Sequence, residues 1–489
     1  MTSAFLFGRR SPLVRGRALT KFLNGNFEPS RQSPRYRRQD TDFKVSTVKN
    51  WIVAGVALVA LTAAAAPASA AAAAATNPEL PAPGSNYGGA ADQAISAFYA
   101  SRGGAPLWLT NPGAANALMG ALQRASLDGL PSGPSLALQA QSLMARASVG
   151  DVQARSDADR LLTTAWVLYV QALQRPPAGM TYADKWVAPR QLTPAQILAR
   201  TGAAKSLSSY VREVSAVNPV YAQLREAAWE DMQAHGGAPD PRVLASLDRI
   251  RDMPFQNRYV IVDAAGAKLY MIEDGRIVDS MRVIVGKADP STQTPMLAST
   301  IYYATLNPYW HVSQESVRST IARNVLDQGL SYLKTRGYQV MPADPSDDTL
   351  LDPAKIDWHA VADGSLKVRV RQLPGPANSM GKLKIGFPND QDIYLHDTPV
   401  KALFSSDDRG LSHGCIRLQD AERLGRWLLG RDPDSDATGE PEQHALLPSP
   451  TPIYLTYLTA QVRDGQLAFV DDIYGRDARR FGQIAAAGN

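Results

Sequence analysis

Residues 394–418 read YLHDTPVKALFSSDDRGLSHGCIRL. The stretch opens around His396, runs through fifteen residues, and ends in Ser412-His413-Gly414-Cys415-Ile416-Arg417-Leu418. It holds the only cysteine of the 489-residue chain and two of its six histidines. A free thiol has a pKa near ~8.5 and is only a few per cent thiolate at neutral pH. A neighbouring imidazole can take its proton and later return it to a leaving amine. Gly414 permits close approach of a substrate backbone or an unusual φ/ψ. Amide N–H groups around Gly414 and Cys415 could stabilise a tetrahedral oxyanion. Arg417 lies two residues past Cys415, on the same face if this is a strand, where it could raise the positive potential or hold a carboxylate. Two histidines compete for the role of base. His413 is two positions from the thiol, and His396 closes a predicted strand that could lie alongside. The residues alone leave that choice open, and a buried, inert thiol in a tight turn is the plain alternative.

Around this stretch the pattern is mostly β. Arg258–Val262 and Lys268–Ile272 are rich in β-formers, and Asp274-Gly275 before the run 276–285 signals a hairpin. Further strands are expected at 297–306, 366–371, 382–385 and 392–396, and a helix over 420–429 with Ala421, Leu424, Trp427 and Leu428 on one face. Residues 313–338 interrupt the β pattern with helical spacing, and 341–364 are polar and turn-rich. An insertion of that kind is often a lid over a site.

Before residue 252 the spacing is helical, over 91–101, 114–125, 157–173, 194–201, 221–235 and 242–251. Thr193-Pro194 and Asp240-Pro241 resemble helix starts, a capping side chain before a first-turn proline. No residue set in this half looks catalytic.

The net charge of +5 is uneven. Residues 1–50 carry +8 and residues 51–70 no charge, which leaves −3 for the remainder. The basic excess therefore argues for a leader and against nucleic-acid binding. Residues 51–66, WIVAGVALVALTAAAA, follow Lys49 and precede Ala68-Ser69-Ala70, the pattern of a secretory signal or, uncleaved, a membrane anchor. A start at Val48 would give that signal an ordinary length. Residues 71–87 read as an Ala/Pro linker. A lone thiol in an exported chain needs a reason, and one cysteine with scattered histidines gives no metal-ligand spacing.

The His396…Ser412-His413-Gly414-Cys415 pattern resembles the active-site signature of the L,D-transpeptidases with a YkuD-type catalytic domain. Flanking blocks extend the likeness: 371–376 (RQLPGP), 387–389 (FPN), 394–399 (YLHDTP), Arg409, 307–310 (NPYW) and 293–295 (QTP). Together they resemble the YcbB-like subgroup. That resemblance implies an α+β multidomain chain: an α-helical scaffold domain over 88–252, then a mostly-β catalytic domain over 256–480 with a lid inserted at 309–365. The subgroup's small peptidoglycan-binding helical domain has no room between residues 251 and 258.

By the same resemblance, Cys415 is the nucleophile and His396 the general base, oriented by the Asp397 carbonyl. His413 supports the site or the oxyanion hole, the Gly414 backbone contributes to that hole, and Arg417 gives electrostatic support. Tyr394, Trp310 and Asp397 are the substrate-side candidates. The implied reaction attacks a tetrapeptide stem at its third residue, releases D-Ala and gives a 3→3 cross-link between peptidoglycan stems in the periplasm. No metal or organic cofactor is expected, and carbapenems are the expected inhibitors. Another acceptor (a lipoprotein lysine, a D-amino acid or water), a cysteine endopeptidase, and a non-catalytic wall-associated scaffold protein are the competing readings. Oligomeric state is not legible.

Overall fold

The computed structural model describes residues 89–251 and 257–487. The basic leader (1–70, with its apolar run at 51–66) and the Ala/Pro linker (71–87) lie outside the described residues. Among those described, no helix is long and apolar enough to cross a membrane.

Residues 89–249 form eight helices. Both expected starts hold. Thr193 closes a reciprocal capping box with Gln196, and Asp240 accepts the Arg242 amide, each before a first-turn proline. The long helix Val152–Leu173 runs through the middle, and Leu161 to Val167 are all buried. Its Asp159 carboxylate accepts the amides of Leu107, Trp108 and Leu109 at 2.7–2.8 Å, which pins the preceding loop. Two helices escape the periodicity reading. Gly133–Ser148 opens on Gly133-Pro134, which looks like a turn but supplies a first-turn proline. Leu207–Ala216 is short and serine-rich, and holds through the Ser206 cap and the buried Leu207, Val211 and Ser215.

The second half is built on a closed barrel of eight strands: β1 Arg258–Asp263, β2 Lys268–Glu273, β3 Arg276–Gly286, β4 Leu297–Leu306, β5 Leu383–Gly386, β6 Tyr394–His396, β7 Ile416–Leu418 and β8 Gln443–Thr456. Their order around the wall is β4-β8-β1-β2-β3-β7-β6-β5, and β5 pairs back onto β4 to close it. The β2–β3 turn has Asp274 and Gly275 both at positive φ, as a two-residue type I′ turn requires. Strand β8 is hidden in the sequence because Pro448 and Pro450 interrupt its apolar run. Both fall in the irregularity between Leu446 and Thr451, where no ladder bond is lost.

Alternation along β1 divides two cores. Val260 and Val262 face the barrel interior, whereas Tyr259 and Ile261 join the helical core together with Ile272 of β2 and Tyr454 of β8. The outer face of this wall is thus buried by the helices, and β1 reads as a continuous apolar run.

The insertion has its own core of Val317, Ile321, Val325, Leu333, Trp358 and Val370. Its helical part comprises Gln314–Ser316, the π-helical Val317–Ala322, Arg323–Gln328 and Ser331–Arg336. The turn-rich stretch after 341 also contains a helix, Trp358–Asp363, capped by Asp357. The strand expected at 366–371 lies at Arg369–Gln372 and belongs to the insertion, as the middle strand between Trp310–Val312 and Tyr338–Met341. The insertion therefore runs past the expected limit of 365.

The helix Pro241–Arg249 is stitched to the C-terminal part. Arg249 pairs with Asp477 at 2.6 Å with both side chains 4% exposed, and the Arg249 carbonyl accepts the Thr456 hydroxyl. Removing one partner of a buried pair leaves an uncompensated charge. Asp477→Ala is expected to destabilise the protein by about 3–5 kcal/mol, read as a lower unfolding midpoint in urea.

Candidate active site

Strands β6 and β7 are parallel neighbours, with Leu395 opposite Ile416 and His396 opposite Arg417. Leu395 and Ile416 are both fully buried in the barrel core. Alternation then sends Tyr394, His396, Cys415 and Arg417 to the other face. On the far side of β6, Lys384 of β5 is in register with His396 and also points outward, between the buried Leu383 and Ile385. These side chains line one cleft of about 690 Å³.

The turn carrying the thiol is held by a chain of hydrogen bonds. The Ser412 hydroxyl accepts the Gly414 amide at 3.1 Å and donates to the Cys415 carbonyl at 2.6 Å. The Thr294 hydroxyl donates to the Gly414 carbonyl at 2.8 Å and accepts the Gly286 amide at 2.9 Å. The Tyr474 hydroxyl in turn donates to the Gly286 carbonyl, and Arg476 to the Thr294 carbonyl. Gly414 sits at φ +109°, and a Cβ there would lie 3.0 Å from the Ile393 side chain. Only glycine fits without strain. Its expected part as an oxyanion donor is corrected by this geometry: its N–H is already committed to Ser412, so its contribution is the shape of the turn.

His396 is 6% exposed. Its Nδ1–H donates to the Asp397 carbonyl at 2.6 Å, which leaves Nε2 as the lone-pair nitrogen. Burial, with Arg417 adding to it, pushes the imidazolium pKa down to about 3. Burial also raises the Cys415 thiol, and Tyr394 and Lys384 pull partly against it. The thiol donates to the Asp392 carbonyl at 3.4 Å. Burial thus disfavours charge on the imidazole and on the thiol alike. Tyr394 stands beside the thiol, its phenol raised by burial and by Cys415. His413 is exposed and lines the same cleft, and its pKa is lowered by burial, Lys287 and Arg417.

The insertion supplies the opposite wall of the cleft through Tyr309, Trp310, His311, Ser313, Ser316 and Arg336. With Lys384 and Arg417, Arg336 makes the cleft cationic, and among the described residues Asp392 is the one carboxylate lining it. Lys384, Arg336 and His311 escape the sequence reading. Lys384 is legible in retrospect from alternation along β5. Arg336 and His311 arrive from the insertion, which no local pattern ties to the thiol.

Asp397 is the second correction. Its carbonyl reaches His396, but its side chain lines a separate cavity of about 1100 Å³ behind β6 and bonds Lys401, so it is not on the thiol's side. The two cavities share Thr398 and Pro399.

Comparison with known proteins agrees with this architecture. The family model of the L,D-transpeptidase catalytic domain, YkuD, matches residues 257–442, and a scaffold-domain model matches residues 93–227. A Haemophilus influenzae protein described as "Putative L,D-transpeptidase" is 26% identical over 392 residues, 78% of this chain and 78% of its own length. Among solved structures, a cysteine-to-serine mutant of an Enterococcus faecium L,D-transpeptidase matches at 12% identity and TM-score 0.21, over 41% of this chain and 50% of that one. An L,D-transpeptidase from Mycobacterium smegmatis matches at 14% identity and TM-score 0.20, over 41% and 58%. The chain thus spans little more than half the length of these solved chains. The two family matches fall on the barrel half and the helical half: the chain carries a YkuD-type L,D-transpeptidase catalytic domain set behind a scaffold domain, in the YcbB-like order.

Proposed function

We propose that this transpeptidase is exported and forms 3→3 cross-links between peptidoglycan stems through a thioester on Cys415. The observation that carries the reading is the register of β6 on β7, which turns His396, Cys415 and Arg417 into one cationic cleft. Peptide stems are rich in carboxylates, and Lys384, Arg417 and Arg336 complement them.

In this reading Nε2 of His396 takes the thiol proton as the sulfur attacks the carbonyl of the third stem residue. Burial favours the neutral pair at rest, so proton transfer accompanies attack. Lys384 and Arg417 favour the thiolate as it forms. The oxyanion is held by the Cys415 amide, with His413 supporting it at the cleft wall. The C–N bond then breaks, the imidazolium returns its proton to the departing D-Ala amine, and the thioester remains. The side-chain amine of a second stem attacks the thioester, loses its proton to His396, and leaves a new amide and the free thiol. The insertion covers the cleft and keeps water from resolving the thioester. A lipoprotein lysine, a D-amino acid or water as acceptor would share the first half of this sequence.

Intact mass spectrometry after incubation with a carbapenem tests the first half. The native chain is expected to gain one adduct, Cys415→Ala none, and His396→Ala the same adduct about 10²–10⁴-fold more slowly. Absence of an adduct on the folded native chain would favour a non-catalytic scaffold protein. Tetrapeptide disaccharides as substrate then separate cross-linking from hydrolysis, by the mass of the product.

The electrostatics give a pH signature. Alkylation by iodoacetamide follows the thiolate fraction. Because burial raises the thiol above its ordinary range, the rate should still be climbing at about pH 9. With His396 protonated only near pH 3, carbapenem acylation should show no loss attributable to His396 as pH falls through about 6.5, where an ordinary histidine titrates. A plateau in alkylation at neutral pH would refute the raised thiol.

A further inference from the structure

Strands β6 and β7 are three residues long each, too short for their ladder alone to fix where they end. Immediately past both ends, one side chain spans the gap. Lys401 donates to the Asp397 carboxylate at 2.6 Å, directly after the base strand. The same ammonium donates to the Gln419 carbonyl at 3.0 Å and approaches the Leu418 carbonyl at 3.5 Å, at the end of the nucleophile strand. An ammonium has three donors, and here they are shared between the carriers of the two reacting groups.

The carboxylate is itself anchored. Its second oxygen accepts the Lys382 amide at 3.1 Å, and the Asp397 amide donates to the Leu383 carbonyl. Gly381, at φ +61°, leaves the space it occupies, since a Cβ there would overlap the Asp397 side chain. Asp397 is also the residue whose carbonyl holds Nδ1 of His396. A shift of the Asp397 backbone would therefore turn the imidazole.

We propose that Lys401 is a positioning residue for acyl transfer: from the cavity behind β6 it braces the Asp397 end of the base strand against the Leu418-Gln419 end of the nucleophile strand, and so sets the separation of His396 from Cys415. Its side chain is 49% exposed, so the pair adds little to stability. Lys401 lines the back cavity and not the thiol's cleft, so it touches no substrate there. A displacement of about 1 Å at the reacting atoms can cost about 10²-fold in rate. The inference rests on the acyl-enzyme reading above.

The test follows adduct formation by intact mass on the full chain, over a concentration series of imipenem, to separate the maximal acylation rate from the apparent affinity. Lys401→Met is expected to lower the maximal rate by about 10–100-fold with apparent affinity and melting temperature nearly unchanged. Asp397→Asn, which keeps the backbone carbonyl but weakens the brace, should do the same. Lys401→Arg, whose guanidinium also carries enough donors for a carboxylate and a carbonyl, should recover most of the rate. A Lys401→Met chain that acylates at the native rate overturns the proposal, as does a loss that Lys401→Arg fails to recover. A native chain that forms no adduct removes the acyl-enzyme reading and this inference with it. A native adduct with an equally fast Lys401→Met removes the inference alone.

Discussion

Leu395 lies opposite Ile416 and His396 opposite Arg417 on two adjacent parallel strands, and the site depends on that register. Two apolar residues point into the barrel and fix the register by burial, because a slip of one residue would turn both out to solvent and His396 into the core. The reactive groups inherit their direction from this constraint. The thiol is carried on a turn whose shape is set by Gly414, Ser412 and Thr294. The same burial that fixes the register also sets the electrostatics, since it disfavours charge on the imidazole and on the thiol alike. Both groups sit in a cleft that Lys384, Arg417 and Arg336 also line.

That combination separates two tasks. Lys384 and Arg336 put positive charge on the lining of the cleft, whereas burial disfavours charge on His396 and Cys415. The insertion contributes to the first task and the barrel to the second. Because the insertion has its own core, its wall of the cleft can vary in sequence without disturbing the strands that hold the thiol.

Much of this was legible in the sequence, and the exceptions have physical reasons. Helix starts at Thr193-Pro194 and Asp240-Pro241 and the Asp274-Gly275 turn are local chemistry, and local chemistry reads directly. That His396 and Cys415 line one cleft rests on a motif whose parts are far apart in sequence, so resemblance carries it and no periodicity can. Strand β8 is not legible because Pro448 and Pro450 mark a break to any local rule, although both fall in the irregularity between Leu446 and Thr451. Closure of the barrel through β4 and β5 is a long-range pairing with no local signature. The strand Arg369–Gln372 is legible as β, but the sheet it joins is not, since alternation says nothing about which neighbours a strand will choose. Gly414 was placed in the right turn and given the wrong task, because a hydroxyl two residues earlier takes its amide.

The two family matches divide this chain as text, one ending at residue 227 and the other beginning at residue 257. As matter it does not divide there. Tyr259, Ile261, Ile272 and Tyr454 belong by descent to the barrel and by cohesion to the helical half. A barrel released from its helices would carry an aromatic and aliphatic stripe on its outer wall, the kind of surface that draws other chains to it. The helical half is thus a resident escort for the catalytic one, and the two are bound to travel through folding and evolution as a single inheritance.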